Sequence, residues 1–423
     1  MKRNTGVITG ALFIFTLSHA SLLALPTLEH ISDPGLDLAT AGAVSSRGSV
    51  IVGQAVNWQG EAPEELVYHF DKSYDVTSET ITTLGAMPQG GRAFRATAVS
   101  GNGAVVSGIT GGGVAYRWEP ETGDSSLIWN LGNVTDISND GSVIIGTSGP
   151  FAGIIYWWEN NFLLQLDPPA GFDRGVPYGI NGAGTIMVGG CWNLSGEGGG
   201  EAFLYTTSGM SSLGKPEGHE SAAAHDVNHD GSVVVGTSIE KVLLMNDQEV
   251  QRKRAVLFKD ATITVLDRGE HIESEAVGVS GDGAIIVGHV RDEFFRWFAA
   301  IWERQPDGSY MLQLTDDLFQ ESESSLKTAT AISEDGTTIV GSGSFNGVDG
   351  IGRLRLDVTP WEGAAMDSGS SGVDPIQESL LGTVNIQFDP WWYSYTLETY
   401  IYASEEAETD QGGWFFIPAP AGP

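Results

Sequence analysis

The stretch that decides the fold is ISNDGSVIIG, residues 137–146, because variants of it recur seven times along the chain. Each copy runs from an apolar β-branched residue and a Ser or Asn, through a turn, into a run of small and β-branched residues that ends in glycine. The closing glycines lie 38 to 55 residues apart, close to the period of propellers and solenoid arrays. The copies begin at Val44, Val99, Ile137, Ile180, Val227, Val279 and Ile332.

We interpret each copy as a β-hairpin. Most copies turn through Asn-Gly or Asp-Gly, as at residues 140–141 and 282–283. These pairs tolerate the positive φ angles of a two-residue type I′ turn, so we predict that turn type. The apolar run after each turn, such as residues 233–235, is typical of a strand that is buried on both faces.

Two further short elements follow each hairpin. The third ends in an aromatic residue, which we expect to be buried between neighbouring sheets, as at Trp118, Trp158, Phe258 and Trp302. The fourth centres on leucine, but the seventh third strand, near Leu356, has no leucine element after it. The missing copy is found upstream, at residues 26–28, so we predict that this N-terminal strand completes the last sheet and leaves no unpaired edge there.

The sequence therefore predicts an all-β protein, a seven-bladed β-propeller of four-stranded blades closed by an N-terminal strand. An open solenoid is the alternative. A small aromatic-rich C-terminal β module is expected to follow. The predicted segments are a signal peptide (1–20), the repeat domain (21–358), a linker (359–378) and the C-terminal module (379–423).

The repeated phrase, followed by elements such as EAFLY (residues 201–205) and then Leu-Gly, resembles the HAF family of bacterial extracellular repeat proteins. The resemblance covers residues 26–358. It implies a secreted or surface-attached protein and supplies no reaction and no catalytic residues. The His-Ala-Phe triplet of that family is replaced here by residues 201–203, Glu-Ala-Phe.

The N-terminus and the charge indicate where the protein acts. Lys2 and Arg3, the apolar run 6–17 and the small residues before Ser21 are typical of a secretory signal, so we expect export and a mature chain without a transmembrane span. The formal charge of −33 argues against nucleic-acid binding. Cys191 is the single cysteine, which excludes an internal disulfide. We expect a monomer, either secreted or at the cell surface.

The C-terminal tail admits two interpretations. Its aromatic residues, dense between 388 and 416, suit either a small β-meander with a packed aromatic core or a carbohydrate-binding surface. Residues 418–423 also resemble the start of a bacterial sorting signal, without the apolar helix and basic cluster that complete one. Whether a sorting tail belongs to the protein stays open.

No catalytic, metal or cofactor motif emerges from the sequence. His219, His225 and His229 lie close together, but their predicted places on a strand and in a turn do not suit a shared metal site. The turn aspartates lack the alternating ligands of a calcium loop. We predict a non-enzymatic binding or scaffold module for a polysaccharide or a cell-surface protein. The alternative is a glycan-active enzyme, a glycosidase or lyase, that uses a central pocket.

Candidate binding residues follow from the loop lengths. The connections between second and third strands and between blades are long and unlike one another, and variable loops on a rigid scaffold usually carry binding residues. They include residues 54–66, 168–178, 190–200, 237–254 and 315–327. The face that carries these connections is called here the long-loop face, and the opposite face the turn face. The candidate ligand contacts on the long-loop face are Trp58, Trp192, Phe294 and Phe295.

Overall fold

The structure is a computed structural model. It describes residues 26–31, 38–56, 64–69, 80–83 and 93–356, with gaps at 111, 120–121, 149–152, 197, 244–247 and 319–323, and the backbone of five strands between 376 and 416. The predicted signal peptide and Trp58 lie outside the described residues. Pro26–Leu356 forms one compact unit, and residues 357–423 belong to another. Among the described residues, no helix is long and apolar enough to cross a membrane.

The described part of Pro26–Leu356 contains seven four-stranded antiparallel sheets, which confirms an all-β propeller fold. Strand β1 (Thr27–Ile31) comes first in the chain and belongs to sheet 7. Sheets 1 to 3 comprise β2 (Leu38–Val44), β3 (Val50–Val56), β4 (Glu64–His69) and β5 (Thr80–Thr83); β6 (Ala93–Val99), β7 (Val106–Thr110), β8 (Ala115–Trp118) and β9 (Ser125–Ile128); and β10 (Asn133–Ile137), β11 (Val143–Thr147), β12 (Ile155–Glu159) and β13 (Phe162–Leu166).

The remaining sheets of this unit repeat the same order of strands. A short 3-10 helix, Thr315–Leu318, precedes sheet 7. Sheets 4 to 7 comprise β14 (Arg174–Ile180), β15 (Met187–Trp192), β16 (Glu201–Thr206) and β17 (Gly209–Gly214); β18 (His219–Val227), β19 (Val234–Leu243), β20 (Glu249–Lys259) and β21 (Thr262–Val265); β22 (Glu273–Val279), β23 (Ile285–Arg291), β24 (Trp297–Arg304) and β25 (Tyr310–Leu314); and β26 (Ser325–Ile332), β27 (Thr338–Phe345) and β28 (Val348–Arg355) with β1.

The C-terminal unit contains an antiparallel sheet of five described strands. Its first strand begins inside the stretch that the sequence predicted to be a linker. The strands are β29 (Ile376–Glu378), β30 (Gly382–Phe388), β31 (Trp391–Ser394), β32 (Thr399–Ala403) and β33 (Phe415–Phe416).

The propeller core is divided among the contacts between sheets. Each sheet packs on the next one along the chain, and sheet 7 packs on β2 of sheet 1, which closes a ring. Each of the seven contacts holds its own apolar cluster of described residues. The cluster between sheets 7 and 1 joins Ile31 and Ile351 to Ile51, so the seam is packed like the other contacts.

The N-terminal strand closes the ring as predicted. Leu28 pairs with Leu354 and Thr27 with Arg355, in antiparallel register along the outer edge of β28. The carboxylate of Glu29 accepts hydrogen bonds from the guanidinium of Arg353 across this pair. Because sheet 7 takes its outer strand from the start of the chain, the ring is closed by backbone hydrogen bonds between the two ends of the unit.

The third-strand aromatics are mostly buried, as predicted. Trp302, Phe258 and Trp158 are at most 9% exposed, and Trp118 is half-buried. The indole Nε1 of Trp302 donates to the carbonyl of Asp267 at 2.6 Å, which satisfies its polar atom inside the core.

The turn within each phrase differs from the predicted type I′ turn. In the third copy the N–H of Gly141 donates to the carbonyl of Ser138 at 2.9 Å, and Gly141 has a φ of 70°. Asp140 is not among the described non-glycine residues with positive φ, whereas a type I′ turn requires positive φ at both central positions. The prediction of type I′ turns is therefore wrong.

Side-chain hydrogen bonds explain the turn that forms instead. The buried hydroxyl of Ser138 accepts the N–H of Val143 at 3.0 Å and donates to Asp140 at 2.7 Å. Asp140 in turn accepts the N–H of Ser142 at 2.9 Å. With these bonds in place, only Gly141 adopts the left-handed conformation in this turn. Ser280 and Ser333 make the same contacts in sheets 6 and 7.

A β-bulge interrupts the innermost strand of each of the seven propeller sheets at one equivalent position. The residue before the bulge pairs with the closing glycine of the phrase, as Ala276 does with Gly288. A Cβ at Gly288 would lie 1.9 Å from the carbonyl oxygen of Glu275, and the corresponding distance is 1.9–2.1 Å at all seven closing glycines. The bulged residues are Gly42, Thr97, Thr135, Tyr178, His225, Val277 and Thr330.

This close approach makes the closing glycines intolerant of a side chain. We predict that Gly288→Ala lowers the free energy of unfolding by about 1–3 kcal/mol or more, because the obstructing atom belongs to the backbone. Urea denaturation monitored by tryptophan fluorescence measures the change. Gly112→Ala is the matched control, since its Cβ would meet Thr110 Oγ1 at 3.7 Å. Equal stability of the two variants would contradict this account.

Ring closure by β1 can be tested by truncation. A chain that starts at residue 32 loses the burial of Ile31, which contributes about 1.5–3 kcal/mol, and the partial burial of Leu28, which contributes less; it also exposes the edge of β28. We predict a lower melting temperature and a greater tendency to aggregate than for a chain that starts at Pro26. Calorimetry and light scattering measure both, and unchanged behaviour would rule out a stabilising role for the strand.

Candidate functional site

The bulged residues line a central channel. The cavity has a volume of about 190 Å³ and is bounded by the seven innermost strands. Bulged side chains also reach across to the next sheet: the hydroxyl of Thr97 donates to the carbonyl of Val134 at 3.0 Å, and Nδ1 of His225 bonds the carbonyl of Ala276 at 2.9 Å. The wall of the channel is thus held partly by side chains that face it.

Four polar side chains meet at the channel mouth on the turn face. They are at the third position of the phrase in sheets 1, 3, 5 and 7. Ser46 Oγ lies 3.0 Å from Asn139 Oδ1 and 2.9 Å from Glu334 Oε2. The carboxylate of Glu334 also accepts hydrogen bonds from Nδ2 of Asn139 and from Nδ1 of His229. A single carboxylate therefore links four sheets across the mouth.

Glycines occupy the same position in the alternate sheets. A Cβ at Gly101 would lie 2.2 Å from Ser46 Oγ, one at Gly182 would lie 2.3 Å from Asn139 Nδ2, and one at Gly281 would lie 2.4 Å from Glu334 Cγ. The alternation of side chain and glycine around the ring leaves the space that the polar network occupies. From the sequence, these positions were interpreted as ordinary turn residues, and the network was not predicted.

Two carboxyl groups in the channel bridge neighbouring innermost strands. Asp136 accepts the N–H groups of Ile137 and Ile180, each at 2.8 Å, and joins sheet 3 to sheet 4. Asp226 accepts those of Val227 at 2.7 Å and Val279 at 2.9 Å, and joins sheet 5 to sheet 6. Both oxygens of each carboxyl group are occupied by backbone donors, so these groups position strands.

Burial changes the protonation of these groups. It raises the pKa of Asp136 to about 7 against the opposing effect of the two N–H donors. It raises the pKa of Asp226 to about 8, and the charge of Asp136 adds to that rise. Burial also lowers the pKa of His225, whose ring lies edge-on to Tyr178 at 5.5 Å between centroids.

Within the described residues, the three histidines and Cys191 do not form a shared metal site. His219 and His225 lie on β18, whereas His229 is in the turn of the phrase and His219 bonds Ser238 at 2.9 Å. Within the described part of the chain, no group of three or more His, Cys, Asp or Glu residues is placed to hold a metal ion. Burial raises the pKa of the Cys191 thiol to about 12, so this thiol is unreactive near neutral pH.

The predicted contact residues are only partly brought together. Phe294 and Phe295 lie in the hairpin between β23 and β24, on the long-loop face, and are 69% and 58% exposed. Trp192 ends β15 in sheet 4, is half-buried and pairs with Arg174. Trp58 lies outside the described residues. The structure thus places two of the four candidates in one surface element.

The hairpin 292–296 is stiffened by one aspartate. Asp292 Oδ1 accepts the N–H groups of Phe294 and Arg296, both at 2.9 Å. Its Oδ2 accepts a hydrogen bond from Nε of Arg296 at 2.8 Å and lies 2.7 Å from Nη2 of the same arginine. The N–H of Phe295 also donates to the carbonyl of Asp292 at 3.1 Å. The aromatic pair is therefore held on a preorganised turn.

Arginines support the two exposed rings. The guanidinium of Arg291 lies 4.3 Å from the ring centre of Phe295 and 5.1 Å from that of Trp297. The guanidinium of Arg296 lies 5.5 Å from the ring centre of Phe294. These arginines were not predicted from the sequence, although Arg291 and Arg296 lie within a few residues of Phe294, Phe295 and Trp297, which was a readable signal.

An ionic cluster surrounds the base of this surface. Glu273 pairs with Arg291 at 2.9 Å and with Arg252 at 3.7 Å. Nearby, Glu275 pairs with Lys253 at 2.8 Å. Despite its burial, contacts with His289 and Lys253 lower the pKa of Glu275 to about 2. Much of the segment 237–254, predicted to be a loop, forms the outer part of the β19–β20 hairpin, in which Leu243 pairs with Glu249.

No protein-family model and no curated protein match this sequence. Two solved structures are similar in fold. TolB from Acinetobacter baumannii is 12% identical, with 64% of each chain covered and a TM-score of 0.39, so the match spans less than two thirds of that protein. The Myceliophteria thermophila Cps50 (Swd1) β-propeller domain is 9% identical, with 78% of this chain and 100% of that chain covered and a TM-score of 0.47. Similarity this low supports no statement about function.

The channel carboxyl groups predict a pH dependence. Their folded-state pKa values lie above the unfolded value of 3.8, so their stabilising contribution is full below that value and is lost as the pH rises through about 7 and 8. We predict a falling melting temperature from pH 5 to pH 9, with a shallower slope in Asp226→Asn. That variant should also be less stable at pH 5, because its amide can accept only one of the two N–H donors. Parallel slopes in wild type and variant would contradict the assignment.

Proposed function

We propose that this chain is an exported, seven-bladed propeller of the HAF type that acts as a non-enzymatic binding or scaffold module, secreted or at the cell surface, for a polysaccharide or protein partner. It acts as a monomer and does not bind nucleic acid. The formal charge of −33 supports that exclusion, since a strongly acidic surface repels phosphates. The basic and apolar N-terminal segment supports export.

One observation carries the binding role. The hairpin 292–296 presents two adjacent phenylalanines, 69% and 58% exposed, on a turn held by Asp292. Exposed aromatic residues on a rigid support are typical of recognition surfaces, because little conformational entropy is lost on binding. On the turn face, the polar groups at the channel mouth bond one another, so the long-loop face is the favoured side for a partner.

A glycan-active enzyme is the competing function. As a glycosidase, it would need a pair of carboxyl groups free to act as acid and base. In the channel, Asp136 and Asp226 each bond two backbone N–H groups, and Glu334 is bonded to three side chains. This use of the carboxyl groups favours a binding role over catalysis.

Export and binding are testable together. We predict that the full chain expressed in a bacterial host with an export pathway appears outside the cytoplasm with Ser21 as its first residue, which intact-mass spectrometry measures. Lys2→Glu with Arg3→Glu is the control that should retain the chain inside. The purified protein should bind a polysaccharide or a surface protein without releasing reducing ends. Release of reducing ends by the wild-type protein would establish the enzymatic alternative instead.

A further inference from the structure

Phe295 occupies a strained backbone conformation. Its φ is 65°, in the left-handed region that bulky side chains rarely adopt. The other described non-glycine residues with positive φ have small or short polar side chains, which tolerate this region better. They are Asn130, Asn160, Asn161, Asp260, Ala261 and Asn346. A glycine or asparagine at position 295 would satisfy the turn at lower cost, so the turn alone does not account for phenylalanine.

The side chain of Phe295 is not part of the buried core. Phe295 is 58% exposed and its neighbour Phe294 is 69% exposed. The Arg291 guanidinium, 4.3 Å from the ring centre, covers part of Phe295. The fold therefore accepts backbone strain to keep an aromatic side chain at the surface, and such strain is characteristic of binding sites.

The charges around the rings indicate the class of ligand. Arg296 is paired with Asp292, and Arg291 shares Glu273 with Arg252, so each of the two arginines beside the rings already has an acidic partner within the chain. The protein as a whole carries a formal charge of −33, which opposes the approach of an anionic polymer. An uncharged ligand meets no such barrier.

The polar groups beside the rings suit hydroxyl groups. The guanidinium of Arg296 keeps N–H donors beyond those paired with Asp292, lies 5.5 Å from the ring centre of Phe294, and belongs to a side chain that is 67% exposed. Sugar hydroxyls both donate and accept hydrogen bonds, whereas the C–H faces of sugar rings stack on aromatic rings. A surface hairpin, unlike a deep pocket, also allows an extended chain to pass over it.

We propose that the hairpin 292–296 is a stacking platform for an uncharged polysaccharide, with Phe294 and Phe295 as the ring contacts. This inference rests on the proposed binding function and names its ligand class. Phe295 is retained at a strained position because its ring contacts the sugar.

Affinity electrophoresis in native gels tests the proposal. The gels contain hydroxyethylcellulose, xyloglucan or laminarin as uncharged polymers, and alginate or polygalacturonate as anionic ones. We expect at least one uncharged polymer to retard the full protein, with retardation unchanged by added salt. Phe295→Gly and Phe295→Asn should weaken binding at least tenfold while the melting temperature stays equal or rises. Phe162→Ala removes another exposed phenylalanine, on β13, and should change neither property.

Each other outcome overturns the proposal. Retardation by an uncharged polymer that persists in the Phe295 variants places binding elsewhere and leaves the binding function standing. Loss of binding with an equal loss of melting temperature makes Phe295 a structural residue. Retardation by anionic polymers alone, or by none, excludes the ligand class. Release of reducing ends from the polymers would overturn the proposed function itself.

Discussion

The ring depends on one repeated close contact. In each sheet, the closing glycine of the phrase lies against a backbone carbonyl of the innermost strand, next to the bulge. At Gly288 a Cβ would lie 1.9 Å from the carbonyl oxygen of Glu275, so the second strand can follow the bulged first strand only where it carries no side chain. The bulge turns residues such as Thr97 and His225 toward the channel and the next sheet. The spacing of innermost strands and the lining of the channel follow from this contact.

The repeated sequence predicted the fold because each phrase encodes a complete local structure. Ser138, Asp140 and Gly141 specify the turn, the apolar run specifies a buried strand, and the closing glycine accommodates the bulge. The count of leucine elements also predicted that residues 26–28 pair beside residues 354–356, where Leu28 pairs with Leu354. The turn type was predicted wrongly because pair statistics for Asp-Gly take no account of the buried serine hydroxyl that holds Asp140 in place.

The candidate site was harder to predict, because its parts are brought together by ring closure. Ser46 and Glu334 are far apart in sequence, and nothing local marks them as partners across a channel mouth. Asp136 and Asp226 follow the bulged positions, and their role became visible only with the N–H groups of neighbouring sheets. Phe294 and Phe295 were selected from the sequence because two adjacent aromatic residues in a connection on the long-loop face are a local signal. Their supporting arginines were overlooked.

The two faces of the ring differ in how their polar groups are used. On the turn face, the carboxylate of Glu334 accepts hydrogen bonds from Ser46, Asn139 and His229, all within the protein. On the long-loop face, the guanidinium groups of Arg291 and Arg296 contact the rings of two phenylalanines that are more than half exposed. The turn face thus satisfies these polar groups internally, whereas the long-loop face keeps a strained and exposed phenylalanine at position 295. This difference supports the proposal that the long-loop face is the recognition surface.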